Sequence, residues 1–317
     1  MTPVRALASC VLLVLAAPWP ALADDWRLVW ADEFDKPAIQ SANWRLAEDC
    51  WGGGNNERQC YTASRRNAAI VDGKLVITAL RQRATGPALP IALRPLAGNP
   101  AAEVTREFTS ARLSTKGKAA WRFGRIEVRA RLPQGQGTWP ALWMLPEDDS
   151  HGPWAASGEI DILEAVNLGV PCAACPGGRE NTILGTLHFG AKWPGNAQKG
   201  SEVPAPEVLD GFHTFAIEWQ ADRITWQMDG RTYAERQASE WWSSGSKAPG
   251  APFDRPFHLI LNLAIGGGLP EKRGLGGVVT EGFPKRLEID WVRVWQKDAK
   301  PANPLPGPSA SSGEGGN

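Results

Sequence analysis

The sequence predicts an all-β fold, a β-sandwich of the jelly-roll kind. Apolar and polar residues alternate with period two over residues 75–79, 124–132, 214–219 and 287–295, which lays one side of each segment on a core. Asp229-Gly230 separates residues 224–228 from 231–233, a strong two-residue hairpin signal. Helical periodicity of any length is absent, and Gly, Pro, Asn and Asp punctuate the chain at short intervals, as in many short strands joined by turns.

The elements follow in chain order. Arg5, the apolar run 11–17 and the small-x-small triplet Ala21-Leu22-Ala23 predict a signal peptide over residues 1–23, leaving Asp24 as the mature N-terminus. Leu7-Ala8-Ser9-Cys10 mimics a lipoprotein processing site, but it precedes the apolar run instead of closing it. That run is too short to span a bilayer, and no later stretch offers about 20 apolar residues. The mature form is therefore expected to be soluble and free of the membrane, secreted or periplasmic, and to work as a monomer. Acidic and basic residues balance at 34 each, so loss of Arg5 leaves a mature charge near −1 with no basic run. That excludes nucleic acid and acidic membrane surfaces as partners.

Residues 24–297 read as one domain without internal repeats. From 298 to 317 the composition shifts to Pro301, Pro304, Pro306, Pro308 and a Ser/Gly-rich end, a tail that cannot bury apolar area and is expected to be disordered. Cys10 leaves with the leader, and Cys50, Cys60, Cys172 and Cys175 remain, an even count that suggests disulfides in an exported chain. Three connectivities are open, of which near-neighbour pairing would staple two local loops. Cys172 and Cys175 could also be half of a zinc site or a redox pair, but no second metal-spaced pair accompanies them, and a loop staple is the simpler reading.

The chemistry concentrates in Ser157-Gly158-Glu159-Ile160-Asp161-Ile162-Leu163-Glu164-Ala165. In a regular strand Glu159 and Asp161 share a face and Glu164 points to the other; one extra residue, a β-bulge near Ile162 or Leu163, brings all three together. Like charges on one face raise one another's pKa. Retaining glycosidases use that cost, needing one ionised carboxylate as nucleophile and one protonated acid about 5 to 5.5 Å away. Glu159 would attack, Glu164 would donate and then accept a proton, and Asp161 would tune Glu159. The competing reading is a solvated face whose acids pair with Arg122, Arg125 or Arg129.

The aromatic residues favour the chemistry. Of sixteen tryptophans only Trp19 leaves with the leader, and Trp51, Trp139, Trp143, Trp154 and Trp193 sit in polar loops, where flat rings suit sugar faces. Trp51, Trp139 and Trp193, beside glycine-rich or Pro-Gly turns, are assigned to a binding cleft. Trp219, Trp226, Trp291 and Trp295, in alternating strands, are expected in the core. His188, in Gly185-Thr186-Leu187-His188-Phe189-Gly190, would donate to a substrate hydroxyl or to the acids, or be a satisfied half-buried histidine. There is no serine nucleophile elbow, phosphate-cradling loop or zinc signature.

These residues resemble glycoside hydrolase family 16, specifically its laminarinase-like endo-β-1,3-glucanases. The resemblance rests on Glu159-Ile160-Asp161-Ile162-Leu163-Glu164, the bulged form of that family's signature, whose form one residue shorter marks the lichenases. It extends through Trp30-Ala31-Asp32-Glu33-Phe34, Trp51-Gly52-Gly53-Gly54-Asn55-Asn56-Glu57, Phe123-Gly124-Arg125-Ile126-Glu127, Trp139-Pro140-Ala141-Leu142-Trp143-Met144, the His188 strand and Leu261-Asn262-Leu263-Ala264-Ile265-Gly266-Gly267. It implies an open substrate cleft on the concave face of the jelly roll and retaining endo-hydrolysis of β-1,3-glucan, extending to mixed β-1,3/1,4-glucan. It also implies Glu159 as nucleophile, Glu164 as acid/base and Asp161 as assistant, with Trp139, Trp143, His188 and Asn56 lining the cleft. No cofactor is implied for the chemistry; a structural calcium on Glu33, the Gly73 carbonyl and Asp290 is.

The chain departs from the pattern at Cys60, where the family has an aromatic or aliphatic residue, and at residues 169–179, which look like an insertion. The alternatives are a non-catalytic β-glucan-binding protein on the same sandwich, whose relatives lose the catalytic glutamates, and the same fold acting on a galactan or as a transglycosylase.

Overall fold

The alternation seen in the sequence is the alternation of burial. In Lys285–Lys297 the side chains of Leu287, Ile289, Val292 and Val294 are fully buried, and a bulge opposite Arg129/Ala130 resets the phase between Ile289 and Val292. Trp291 and Trp295 therefore face outward, against the expectation that they pack in the core. Trp291 lies under the Arg293 guanidinium at 4.2 Å, and Trp295 Nε1 donates to Glu127 at 2.8 Å. Trp219 and Trp226 are buried as expected. The computed structural model describes residues 26–273, 275 and 277–297; the predicted leader and tail lie outside the described residues.

Two sheets carry the fold. One runs, in spatial order, Arg231–Gln237, Arg223–Met228, His213–Trp219, Gly124–Arg131, Lys285–Lys297, Lys74–Ala79 and Ala68–Val71, with Trp26–Asp32 also pairing Lys285–Lys297. All four period-two segments lie in it. The other runs Asn196–Pro204, Thr182–Gly190, Glu159–Ala165, Thr138–Pro146, Phe257–Ile265, Arg112–Ser114 and Arg45–Leu46. Sequence neighbours repeatedly fall in different sheets, which makes this a jelly-roll sandwich, not a meander. The Asp229-Gly230 hairpin forms as predicted, with both residues at positive φ and Met228 opposite Arg231. The sole α-helix among the described residues is Gly268–Lys272.

A single apolar cluster fills the space between the sheets, with Ile126, Val128, Phe215, Ile217 and Val292 from one meeting Leu142, Met144, Ile160, Leu187 and Leu263 from the other. The second sheet turns its other face outward, and there the acids stand.

The cysteines pair as near neighbours, Cys50 with Cys60 and Cys172 with Cys175. Closing a loop of separation 10 removes about 2.7 kcal/mol of denatured-chain entropy in the loop-closure account. Replacing Cys50 and Cys60 together by Ala is thus expected to lower unfolding stability by about 2–3 kcal/mol in guanidinium titrations, and an unchanged midpoint would remove the stapling role.

Candidate active site

The strand Glu159–Ala165 sits mid-sheet between Thr138–Pro146 and Thr182–Gly190. On one side Asp161 pairs with Thr186 and Glu164 with Leu184; on the other Leu142 pairs with Leu163 and Trp143 with Asp161. Each side counts one residue too many in this strand, the β-bulge expected at Ile162 and Leu163. Its effect is visible in burial. Ile160, Ile162, Leu163 and Ala165 are all buried in the core, while Glu159, Asp161 and Glu164 share the outer face.

The bulge is held from beneath. The opposite sheet sends Trp226 Nε1 to the Asp161 carbonyl at 2.8 Å and the Tyr233 hydroxyl to the Ile162 carbonyl at 3.4 Å, satisfying ladder groups that the irregularity frees. Gly185 makes room for this. A Cβ there would lie 2.5 Å from Trp226 Cδ1.

Each glutamate has its own indole donor. Trp154 Nε1 donates to Glu159 Oε2 at 2.8 Å, and Trp139 Nε1 donates to Glu164 Oε1 at 2.9 Å. His188 Nε2 lies 3.2 Å from Asp161 Oδ2 and 3.6 Å from Glu159 Oε1, with its ring 5.7 Å from that of Trp154. The arginines that would have made the acids an ordinary paired surface are engaged elsewhere: Arg125 with Glu127 and Glu218, Arg129 with Asp290, Arg122 over Phe123.

Trp143, also on the cleft face, donates from Nε1 to Asn262 Oδ1 at 2.7 Å and carries the Arg112 guanidinium 4.7 Å from its ring. The loop with Asn56 docks through Gly268 N donating to Asn55 O at 2.8 Å, beside the Trp139 ring; Asn56 is exposed at φ 61°, and half-buried Trp51 lies over Gly54. Trp193 is 71% exposed at the Trp154 end, its backbone N–H bonded to the Trp154 carbonyl. The sequence offers Trp154 only as a loop tryptophan; its place five residues before Glu159 is the available signal. Asn262 falls in the Leu261-to-Gly267 stretch that carries the family resemblance, though without a role there, and Arg112 gives no signal, being far away along the chain.

Electrostatics separates the two glutamates. Burial, then the Asp161 charge, raises Glu159 to about 7, opposed by His188, the Trp154 hydrogen bond and Arg112. Burial, then Asp161, raises Glu164 to about 8, opposed by the Trp139 hydrogen bond and His188. Burial works against the His188 imidazolium, but its bond to Asp161 and the three surrounding carboxylates outweigh that and raise it to about 9. Near neutrality the site therefore favours one proton on the glutamate pair, with Glu164 the better holder.

The two indoles yield separate pH signatures, one on each limb. Trp154→Phe removes a bond that lowers Glu159, so the acid limb of the kcat/KM profile should move to higher pH; Trp139→Phe should move the alkaline limb up instead. A hydrogen bond to a charged group is worth about 1.5–3 kcal/mol, so each variant should lose at least about tenfold in rate. Both substitutions moving the same limb would contradict the separate roles.

Metal binding fits poorly in three places. Ligand atoms of Glu159, Asp161 and His188 lie within 4.8 Å of one another, but an imidazole held as its cation to about pH 9 would have to give up that proton to a metal, which weakens the site at neutral pH. Cys172 and Cys175, grouped with Glu180, are joined to each other instead of offering thiolates. On the eight-stranded sheet Glu33 is gripped by Arg293 at 2.8 and 3.0 Å and Asp290 is paired with Arg129, so calcium on those groups and the Gly73 carbonyl would have to displace two guanidinium ions.

A pair of carboxylates on a bulged strand, in the open face of a two-sheet sandwich, is the layout of a β-sandwich glycoside hydrolase. The chain belongs to the family described as glycosyl hydrolases family 16, whose model matches residues 57–293. It is 38% identical over 276 residues to a glucan endo-1,3-beta-glucosidase of Cryptopygus antarcticus, covering 85% of this chain and 92% of that protein. It is also 36% identical over 290 residues to glucan endo-1,3-beta-glucosidase A1 of Niallia circulans, which spans 88% of this chain but only 39% of that longer protein. Among solved structures, the laminarinase from Rhodothermus marinus superposes with a TM-score of 0.68 at 37% identity, covering 86% of this chain and 97% of that one.

Proposed function

We propose that the protein is an exported endo-1,3-β-glucanase that cleaves laminarin-type β-1,3-glucan, and mixed β-1,3/1,4-glucan, with retention of configuration. The observation that carries this is the bulge: it puts Glu159 and Glu164 on one face, each with its own indole donor and with Glu164 the more strongly protonated. The names of the relatives supply the glucan.

In the first step the Glu159 carboxylate attacks the anomeric carbon while Glu164 transfers its proton to the glycosidic oxygen, leaving a covalent glycosyl-enzyme. In the second, Glu164, now ionised, takes a proton from water, which displaces Glu159 and restores the starting anomer. Asp161 and the His188 imidazolium stand beside Glu159: the imidazolium favours the ionised nucleophile, and Asp161 keeps that imidazolium charged. Side chains alone perform both steps. Trp51, Asn56, Trp139, Trp143, His188 and Trp193 would hold the glycan on either side of the acids, and the protein would act as a monomer, secreted or periplasmic.

Product analysis on laminarin, lichenan, curdlan, agarose and carrageenan decides the substrate. Oligosaccharides from laminarin that vanish in Glu159→Gln support the proposal. Laminarin binding without cleavage would favour a glucan-binding protein, transfer products would favour a transglycosylase, and inverted early products would remove the double displacement.

A further inference from the structure

A run of buried polar groups lies under Trp143 that the double displacement does not use. Glu57 is 6% exposed, and among the described residues its carboxylate takes hydrogen bonds from neutral groups: Gln59 Nε2 at 2.7 Å, the Tyr61 hydroxyl at 3.3 Å and Asn55 Nδ2 at 3.4 Å. The Tyr61 oxygen accepts from Asn262 Nδ2 at 3.1 Å, and Asn262 Oδ1 accepts from Trp143 Nε1 at 2.7 Å. Gln59, Tyr61 and Asn262 are all buried.

The charge at one end fixes the direction of every bond. An ionised carboxylate only accepts, so Tyr61 must donate to it; the Tyr61 oxygen is then left to accept from the Asn262 amide, which turns the Asn262 oxygen to the Trp143 N–H. Burial, and then the Glu57 charge, holds the Tyr61 hydroxyl well above the usual phenol range, so it stays a donor. A buried carboxylate without a cation costs stability that an apolar group of similar shape would not. Gly53 accommodates it at close range, since a Cβ there would lie 2.2 Å from Glu57 Oε1.

The end of the chain is on the cleft floor. Trp143 is the cross-strand partner of Asp161, but its indole reaches the other way, to Asn262 on the next strand and to Arg112 beyond it; along the successive partners Glu164, Ala141, Asn262 and Arg112 the Arg112 backbone stands about three strand spacings or ~14 Å from that of Glu164. The floor that Trp143 and Arg112 make thus begins beside the acids and runs under the sugars that follow the one being cleaved.

We propose that Glu57 is a positioning residue that acts through Tyr61 and Asn262 to lock the Trp143 indole, with Arg112 on it, as the floor of a glucan subsite remote from the scissile bond. This rests on the cleft's being a glycan cleft. Glu57→Gln presents a donor where the carboxylate only accepted, and Tyr61→Phe removes the middle link with no change of shape. Each variant of the full chain should raise KM for long laminari-oligosaccharides by about tenfold with kcat within about twofold, and leave the shortest cleaved oligosaccharide unaffected. The double variant should be no worse than either single one. Unchanged KM in variants that melt at lower temperature would mean a merely structural network and would overturn the proposal, as would equal kcat losses at every chain length or effects that multiply. If the wild type binds laminarin without cutting it, the hydrolytic reading fails and tryptophan-quenching Kd replaces KM: about tenfold weakening in either variant supports the relay, and an unchanged Kd or no laminarin binding at all overturns it.

Discussion

Glu159→Gln should lower kcat on laminarin by about 10⁴-fold or more while leaving the fold intact, because the amide cannot form the glycosyl-enzyme through which both steps run. The loss should lie in kcat, since binding draws on the rest of the cleft. Stability should move the other way. Glu159 is raised from its ordinary 4.5 to about 7 by burial and by Asp161, so ionising it is less favourable in the folded state than in the unfolded chain. A group raised in this way contributes fully below its unfolded value and loses that contribution as pH rises through the folded one. The neutral amide should therefore melt higher than the wild type at pH 8 and no higher at pH 4. His188 reduces the gain without reversing it, since Asp161 provides most of the hold on the imidazolium. In a glycine variant at 159, azide should restore turnover as a glycosyl azide of inverted configuration, having entered from the face the carboxylate left. A variant that keeps even a hundredth of wild-type kcat, with contamination excluded, would remove Glu159 as nucleophile.

What the sequence made legible follows from range. The bulge was visible because an acid at an odd offset is a local irregularity within six residues, and the hairpin at Asp229-Gly230 because turn chemistry is local. The alternating strands of the eight-stranded sheet were visible because one face of each is wet. Phe257–Ile265 was harder, since all nine residues are buried and no alternation survives. The edge strand Asn196–Pro204 was missed for the opposite reason: it is polar and mostly outside the core, and pairing with Thr182–Gly190 makes it a strand. Trp291 and Trp295 read as core residues by alternation but face outward, because a bulge shifts the phase by one residue and nothing local to Lys285–Lys297 announces it. Long-range partners were beyond reach on the same grounds. Trp226 under the bulge, Asn262 beside Trp143 and Glu57 behind Tyr61 are joined by contacts across 65 to 201 residues or by chains of them, and only the folded sheets bring them together.

Glu164→Gln should divide substrates by their leaving group, which a nucleophile variant cannot do. Proton donation by a positioned acid is worth about 10²–10⁴ in rate, and it matters in proportion to how badly the leaving oxygen needs the proton. On laminarin, whose leaving group is a sugar hydroxyl, kcat/KM should fall by about 10²–10⁴. On an aryl β-glucoside with an acidic phenol the first step should be almost unchanged, and the glycosyl-enzyme should accumulate, since Glu164 is also the base for the incoming water. A rapid burst of phenol followed by slow turnover is the expected trace. The pH profile changes with it. Glu164 is raised to about 8 by burial and by Asp161, and the alkaline limb of the wild-type profile reports the loss of its proton; that limb should vanish in the amide, while the acid limb, set by Glu159, should persist near its wild-type position because Glu164 is still protonated and neutral where Glu159 ionises. Equal losses on laminarin and on the aryl glucoside, or an alkaline limb that survives, would show that the proton comes from elsewhere.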